Sequence, residues 1–430
     1  MHMTKQPSFV RSDNLWERTE KLIPCGTQTL SKAPNQHALG LSPKFIRSGK
    51  GCYVTDVDGN RYLDYSMAIL PITLGYAYDA VDCAIAKQLK DGITFSLMHP
   101  LEVEVAEELN QIIPSAEMIR YGKNGSDVTT AAVRLARAYT GREKILLCGY
   151  HGWHDWYIGT TARNAGVPEA VKKLSIKFPF NNAEELKRLL EENRNQVAAV
   201  IMEAADLEEP KPGFLETVRE LTKQHGAVLI FDEVKTGFRI AIGGMQEYSH
   251  VTPDLSTFGK GLANGMPLSV LAGKREIMKC FDTVFFSYTF GGEALSLAAA
   301  KAVIREYRTK DVIGHLWHIG KRLKDGYNEL VTQYGIEKRT RCMGLAPMSG
   351  PMFLDAEGKA DYALKTLFEQ ETIKNGILFR DRHNLCFSHK DKEVDLTLKK
   401  YKTILGTLKQ AIESGQVQSY LQCPPIVKIF

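Results

Sequence analysis

An acid closes one apolar run of this chain, and a lysine stands between two glycines a short way on. Val228, Leu229, Ile230 and Phe231 lead directly to Asp232, and Lys260 lies between Gly259 and Gly261. A lysine amine can form a Schiff base with an aldehyde, and a carboxylate can keep a pyridine nitrogen protonated. Those are the two demands that pyridoxal phosphate makes of a protein. The lysine must be neutral when it attacks, so it needs desolvation or a nearby positive charge. Taken singly, Asp232 reads equally well as a helix cap or a structural ion pair, and Lys260 as a surface-loop lysine. No Gly-x-x-x-x-Gly-Lys-Ser/Thr phosphate loop occurs.

Three further segments carry chemistry of a compatible kind. Gly122-Lys-Asn-Gly-Ser-Asp joins a strand to a helix, and Gly125 and Ser126 with the first free N–H groups would bind an anionic phosphate. The plain alternative is a helix cap by Ser126 or Asp127. Gly149-Tyr-His-Gly-Trp-His follows a strand, and Tyr150 could stack on an aromatic cofactor. His151 and His154 have a spacing that metals use, but no further ligand cluster accompanies them, so no metal is expected. Ser287-Tyr-Thr-Phe-Gly-Gly precedes a helix, and the Thr289 hydroxyl suits another phosphate contact or simply a helix-start loop.

The elements that must position these residues alternate. Strands are expected at 118–122, 144–148, 197–203 and 227–234, and helices at 103–113, 126–139, 183–193 and 215–225. Alternating apolar strands and helices predict an α/β fold with a mainly parallel sheet covered on both faces. An acid at the end of such a strand lies where these sheets bind ligands. Upstream, alternating apolar residues around Asp58-Gly59 predict a hairpin. Downstream, helices are expected at about 293–307, 312–334, 361–375 and 393–413. The pattern divides the chain into a large domain over 76–308 and a smaller one built from 1–75 and 309–430.

Composition narrows the function classes. The 430 residues are 44% hydrophobic and 24% charged, with a net charge of +5 and no basic block, so nucleic-acid binding is not expected. No apolar run approaches the roughly 18–20 residues of a membrane span. The opening residues 1–7 lack the apolar centre of a signal peptide. Eight cysteines at positions 25, 52, 83, 148, 280, 342, 386 and 423 include no Cys-x-x-Cys pair. They predict reduced, buried thiols in a cytoplasmic protein rather than disulfides or zinc.

In order and spacing together, these segments resemble the class III aminotransferases of the fold-type I pyridoxal phosphate enzymes. The branch around glutamate-1-semialdehyde aminomutase is the nearest. The likeness runs from about Ile23-Pro24 to the C-terminal region and is densest over 226–273. There Phe-Asp-Glu-Val-x-Thr-Gly-Phe-Arg and Thr-Pro-Asp-Leu-Ser-Thr-Phe-Gly-Lys-Gly-Leu stand almost as the family has them. The resemblance implies that Lys260 carries the Schiff base and Asp232 pairs with the pyridine nitrogen. Val234 would pack under the ring, Tyr150 would stack on the opposite face, and Gly125 and Ser126 would bind phosphate. Thr289 would reach the phosphate of a neighbouring subunit, which implies a homodimer. Glu203 would brace the site near the substrate. The implied activity is ping-pong transfer of an amino group from a small-molecule donor to a carbonyl acceptor. Alternatives are an intramolecular aminomutase, a decarboxylase or racemase on the same scaffold, or a pyridoxal-phosphate-binding protein without turnover.

The departures from that branch fall on the substrate side. Its carboxylate-binding arginine is Lys32 here, a point charge without the bidentate fork. Its active-site tryptophan is Ile69, and its Gly-Asn-Pro is Gly292-Glu293-Ala294. Gln28, Thr29, Ser31 and Lys32 would suit a hydroxylated or sugar-like substrate. Arg380 and Arg382 could bind a donor carboxylate, although two arginines in a polar loop are more often solvated.

Overall fold

The structure, a computed structural model, describes residues 8–427. The stretch 1–7, read above for a leader, lies outside them. The chain divides into two compact units, one made of the described residues up to Tyr78 and from Gly314 onward, the other of Asp79–Ile313.

The first unit opens on an antiparallel meander of β1 (Ile46–Lys50), β2 (Tyr53–Asp56) and β3 (Arg61–Asp64). Asp56 closes the predicted hairpin, because its Oδ1 accepts the N–H of Asp58 at 3.0 Å and of Asn60 at 2.8 Å. Gly59 supplies the positive φ of +92° that this turn requires. After β3 the chain does something no pattern announced. Met67, Ala68, Ile69 and Leu70 all have φ between +41° and +81°. Each such L-residue costs about 1–2 kcal/mol. The Asp64 carboxylate steadies the entry by accepting the N–H of Ser66 (2.6 Å) and Met67 (3.1 Å).

The second unit is built on seven strands: β4 (Met118–Gly122), β5 (Lys144–Cys148), β6 (Ser175–Lys177), β7 (Val197–Met202), β8 (Val228–Asp232), β9 (Leu255–Phe258) and β10 (Ser269–Gly273). Their order is β4-β10-β9-β8-β7-β5-β6. The pairs β9–β8, β8–β7, β7–β5 and β5–β6 are parallel, while β10 runs against both of its neighbours. Every residue of β7, β8, β9 and β10 is buried, as expected of strands covered on both faces. The helix Gly125–Thr140 packs across β4, β7, β8, β9 and β10. Its buried Val128, Ala131, Ala132, Leu135 and Ala136 recur at helical spacing, and Gly141 ends it at φ +67°.

In the first unit again, β11 (Thr340–Met343) and β12 (Gly350–Phe353) form a hairpin, and β13 (Ile377–Leu378) pairs parallel with β3. The eight cysteines form no disulfide. Cys52, Cys148, Cys342 and Cys386 are buried, but Cys25 and Cys83 are exposed, which corrects the expectation that the thiols are uniformly buried. Among the described residues no helix is long and apolar enough to cross a membrane.

Candidate active site

The parallel strands of the second unit deliver their chemistry at their C-terminal ends. Asp232 is the last residue of β8 and is 4% exposed. It pairs in register with Thr257 of β9, and Lys260 follows three residues further along the chain. The Asp232 Oδ1 accepts the N–H of Val234 at 3.1 Å and the hydroxyl of Thr257 at 3.3 Å. Its Oδ2 lies 2.8 Å from His151 Nδ1, and that ring is itself buried. The protein thus supplies a buried ring nitrogen as a partner of the Asp232 carboxylate. His151 was singled out by sequence only as half of a metal spacing. His154 turns instead to Thr130 Oγ1 at 2.6 Å, so the two rings take different protein partners.

Lys260 is half-buried and opens a single 3₁₀ turn, Lys260–Ala263, with φ +43°. A non-glycine residue held in the left-handed region is strained by about 1–3 kcal/mol and clusters at functional sites. A Cβ on Gly259 would meet Val234 Cγ1 at 3.6 Å, an ordinary contact. The protein itself therefore places no demand for glycine at 259.

The helix Gly125–Thr140 presents its N-terminus next to Val234. A Cβ on Gly125 would stand 3.2 Å from Val234 Cγ1. The cap is Asn124, not Ser126 or Asp127 as the plain alternative had it. Asp127 folds back and accepts the N–H of Lys123 (3.0 Å) and Asn124 (2.7 Å). Among the described residues, the N–H groups of Gly125 and Ser126 donate to nothing. The Ser126 hydroxyl accepts from Trp153 N at 3.3 Å, and a Cβ on Gly152 would collide with it at 2.2 Å.

Glu203 directly follows β7 and is 5% exposed. Its Oε1 pairs with Lys235 Nζ at 2.8 Å and its Oε2 accepts the N–H of Tyr150 at 3.2 Å. Spacing alone offered no route to the Lys235 contact. The Tyr150 ring meets Tyr157 edge-on at 5.4 Å and is 43% exposed, and burial pushes its phenol pKa up. Thr289 lies in an exposed turn ahead of the helix Ala294–Thr309. Lys32 belongs to the first unit, exposed on the 3₁₀ turn Leu30–Lys32. Arg380 is also in that unit and is largely buried. It pairs with Asp381 and donates to Ser31 O at 3.1 Å.

Glu233, beside Asp232, is fully buried and accepts from Thr236 Oγ1, Met245 N (2.8 Å) and Gln246 N (2.9 Å). Burial outweighs those donors and pushes its pKa from 4.5 to about 7. An acid whose folded pKa is raised contributes stability in full below its unfolded pKa and loses it as pH rises through the folded value. Its window is therefore pH 4.5 to about 7. Glu233→Gln is expected to flatten the thermal-midpoint profile across that window, and an unchanged profile would remove Glu233 as its source.

Residues 36–389 match the family described as aminotransferase class-III, most of the chain's length. The chain belongs to the class III aminotransferase family. Among curated relatives of this class III chain, the 3-aminobutyryl-CoA aminotransferase of Cloacimonas acidaminovorans (strain Evry) is 34% identical over 420 residues, which is 95% of this chain and 100% of that protein. The glutamate-1-semialdehyde 2,1-aminomutase of Alkaliphilus oremlandii (strain OhILAs) is 38% identical over 341 residues, covering 75% and 80% of the two chains. The FumI protein of Sphingopyxis sp. MTA144 superposes with a TM-score of 0.88 at 27% identity, over 97% of this chain and 99% of its own. The fold is the fold-type I architecture of the transaminases, and the cofactor of this class III enzyme is pyridoxal phosphate.

The residues fit that cofactor. Two unengaged N–H groups at the start of a 16-residue helix suit a phosphate. A buried carboxylate at the end of β8 suits a protonated ring nitrogen, and a half-buried amine suits the aldehyde carbon. Where a Cβ would approach this wall, at Gly125 and Gly152, the chain has glycine.

Proposed function

We propose that this enzyme is an aminotransferase that carries an amino group from a small-molecule donor to a carbonyl acceptor in two half-reactions. The reading is carried by one observation: Asp232 closes β8 while strained Lys260 follows the paired strand β9. Bound pyridoxal phosphate supplies an electron sink for the pair left when the donor's C–H bond breaks. Lys260 Nζ is the base that takes that proton, and as an ammonium it is the acid that returns one. Asp232 keeps a proton on the ring nitrogen, and His151 with Thr257 aims its carboxylate. The N–H groups of Gly125 and Ser126 would hold the phosphate, with Val234 and Tyr150 the side chains that would contact the ring. Glu203 braces Tyr150 through the backbone bond at 3.2 Å.

The aminomutase reading is favoured by the relatives that bear that name. Initial rates decide between them. Parallel double-reciprocal lines with an absolute need for a separate amino donor are expected, whereas turnover of a single amino-aldehyde without a donor would establish the aminomutase. Gln28, Thr29, Ser31 and Lys32 support a hydroxylated or sugar-like acceptor. A substrate screen with mass spectrometry of the product tests this, and turnover confined to glutamate semialdehyde or simple ω-amino acids would exclude it.

The enzyme is proposed to act in the cytoplasm as a homodimer, with Thr289 serving the neighbouring subunit's phosphate. Leu97, Met98, Phe285 and Phe290 are 86%, 74%, 77% and 59% exposed, apolar surface that contact with a second copy would cover. Sedimentation of the parent is expected to give a dimer. Leu97→Asp combined with Phe290→Asp is expected to weaken it by tenfold or more, roughly the effect of losing a central apolar contact. A parent that sediments as a monomer when saturated with cofactor would end the shared-site reading.

A further inference from the structure

The turn that carries Thr289 is tied to the phosphate-facing end of the helix Gly125–Thr140. Lys123 Nζ lies 3.0 Å from Glu293 Oε2 and 3.4 Å from Ser296 Oγ. The two charged side chains are 14% and 11% exposed, so water screens them weakly. Glu293 serves the next helix as well, because its Oε1 accepts the N–H of Leu295 at 2.6 Å and of Ser296 at 3.3 Å. Ser296 and Lys123 lower the Glu293 pKa by more than burial raises it, so the group is a carboxylate.

The placement along the chain gives this pair its significance. Lys123 stands two residues before Gly125, and Glu293 stands four after Thr289. The far end of the Thr289 segment is held by backbone contacts, Arg120 Nη2 to Phe286 O at 2.8 Å and Arg134 Nη1 to Phe285 O at 2.9 Å. Lys123–Glu293 is the side-chain ion pair at its near end. Glu293 also stands where the aminomutase branch has the asparagine of Gly-Asn-Pro, a departure that cofactor chemistry alone does not explain.

We infer that the Lys123–Glu293 ion pair is a positioning device for cofactor phosphate, setting the Thr289 turn against the Gly125–Ser126 helix start. The inference rests on the proposed reading that both segments serve a phosphate. Since Thr289 in that reading faces a neighbouring site, one ion pair aligns a chain's own phosphate seat with the contact it lends its partner.

The test titrates enzyme dialysed free of cofactor with pyridoxal phosphate, following absorbance, alongside thermal midpoints. Glu293→Gln keeps a capping acceptor and removes the charge, so the helix start is expected to persist, and a fall in its midpoint reads the Lys123 charge left unpaired. Lys123→Met and Glu293→Gln are each expected to raise the cofactor Kd about tenfold, because each leaves a poorly solvated charge without its partner. The double variant is expected to be no worse than Lys123→Met alone, the signature of a coupled pair. Lys123→Arg is expected to keep the parent affinity. Unchanged affinity in both single variants, or losses that simply add, would overturn the inference. Thr289→Ala reads the underlying assignment separately. If it leaves affinity unchanged, Thr289 does not serve phosphate and the inference falls with it. If it weakens binding while Lys123→Met and Glu293→Gln do not, the inference alone is wrong.

Discussion

Lys260→Ala is expected to abolish turnover, with a loss of about 10⁴-fold, the upper range for removing a positioned acid–base group. The visible absorbance of the bound cofactor is expected to disappear with it, because no other amine follows β9 in this position. Phosphate binding is expected to survive, since the proposed phosphate seat at the N–H groups of Gly125 and Ser126 lies on another element and keeps its residues. Fold stability is expected to change little. Lys260 is half-buried rather than a core residue, and alanine carries the same left-handed strain at φ +43°. Lys260→Gly relieves that strain and is expected to be the more stable variant by about 1 kcal/mol. The spectrum and the rate of the purified alanine variant are the measurement. A variant that keeps the absorbance band, or more than a hundredth of the parent rate, would show that another residue holds the cofactor.

Asp232→Asn is expected to cost about 10²–10³-fold in turnover, the scale of losing one preorganised electrostatic contact. The substitution is nearly isosteric, so the reason is charge. A neutral amide cannot hold a proton on a ring nitrogen, and without that proton the electron pair from the donor is poorly accommodated. His151 makes the change harder to tolerate. Its Nδ1 faces Asp232 Oδ2 at 2.8 Å and its Nε2 faces Cys148 O at 3.1 Å. Both partners are oxygen acceptors, so each ring nitrogen faces an oxygen lone pair. With asparagine the Nδ1 meets either an amide N–H or a weaker carbonyl, and Val234 N and Thr257 Oγ1 still need an acceptor. The expected pattern is a fall in kcat with cofactor affinity reduced less. If kcat is unchanged while KM alone rises, Asp232 binds substrate rather than tuning the cofactor.

Most of the frame was legible because its central strands are long apolar runs. The run Lys144–Cys148 was predicted with the bounds it has, and 197–203 and 227–234 overshoot β7 and β8 by only one or two residues at an end. β9 and β10 went unread as strands. Ser256 and Thr257 break the apolar run of the first, and the second, Ser-Val-Leu-Ala-Gly, is short and lies among glycines. Nor does periodicity reveal that β10 runs against both β9 and β4, since the direction of pairing leaves no mark on the residue pattern. The site divides in the same way. Lys260 and Asp232 stand in local motifs, so sequence alone offers them as candidates. His151–Asp232 spans 81 residues and Lys123–Glu293 spans 170, and such pairs are products of the assembled sheet. The cap is Asn124, two or three residues before the candidates Ser126 and Asp127, because all three residue types have capping chemistry.

Three strands flank β8 on either side, so Asp232 is carried by the middle strand of its sheet. Edges of a sheet fray first, and its centre exchanges its amide hydrogens only when the whole unit opens. The amides of Val228–Phe231 should therefore be among the slowest to take up deuterium. Warming should accordingly leave the Asp232 carboxylate in place until the unit as a whole gives way, and if it holds the cofactor as proposed, loss of cofactor and loss of fold become one event.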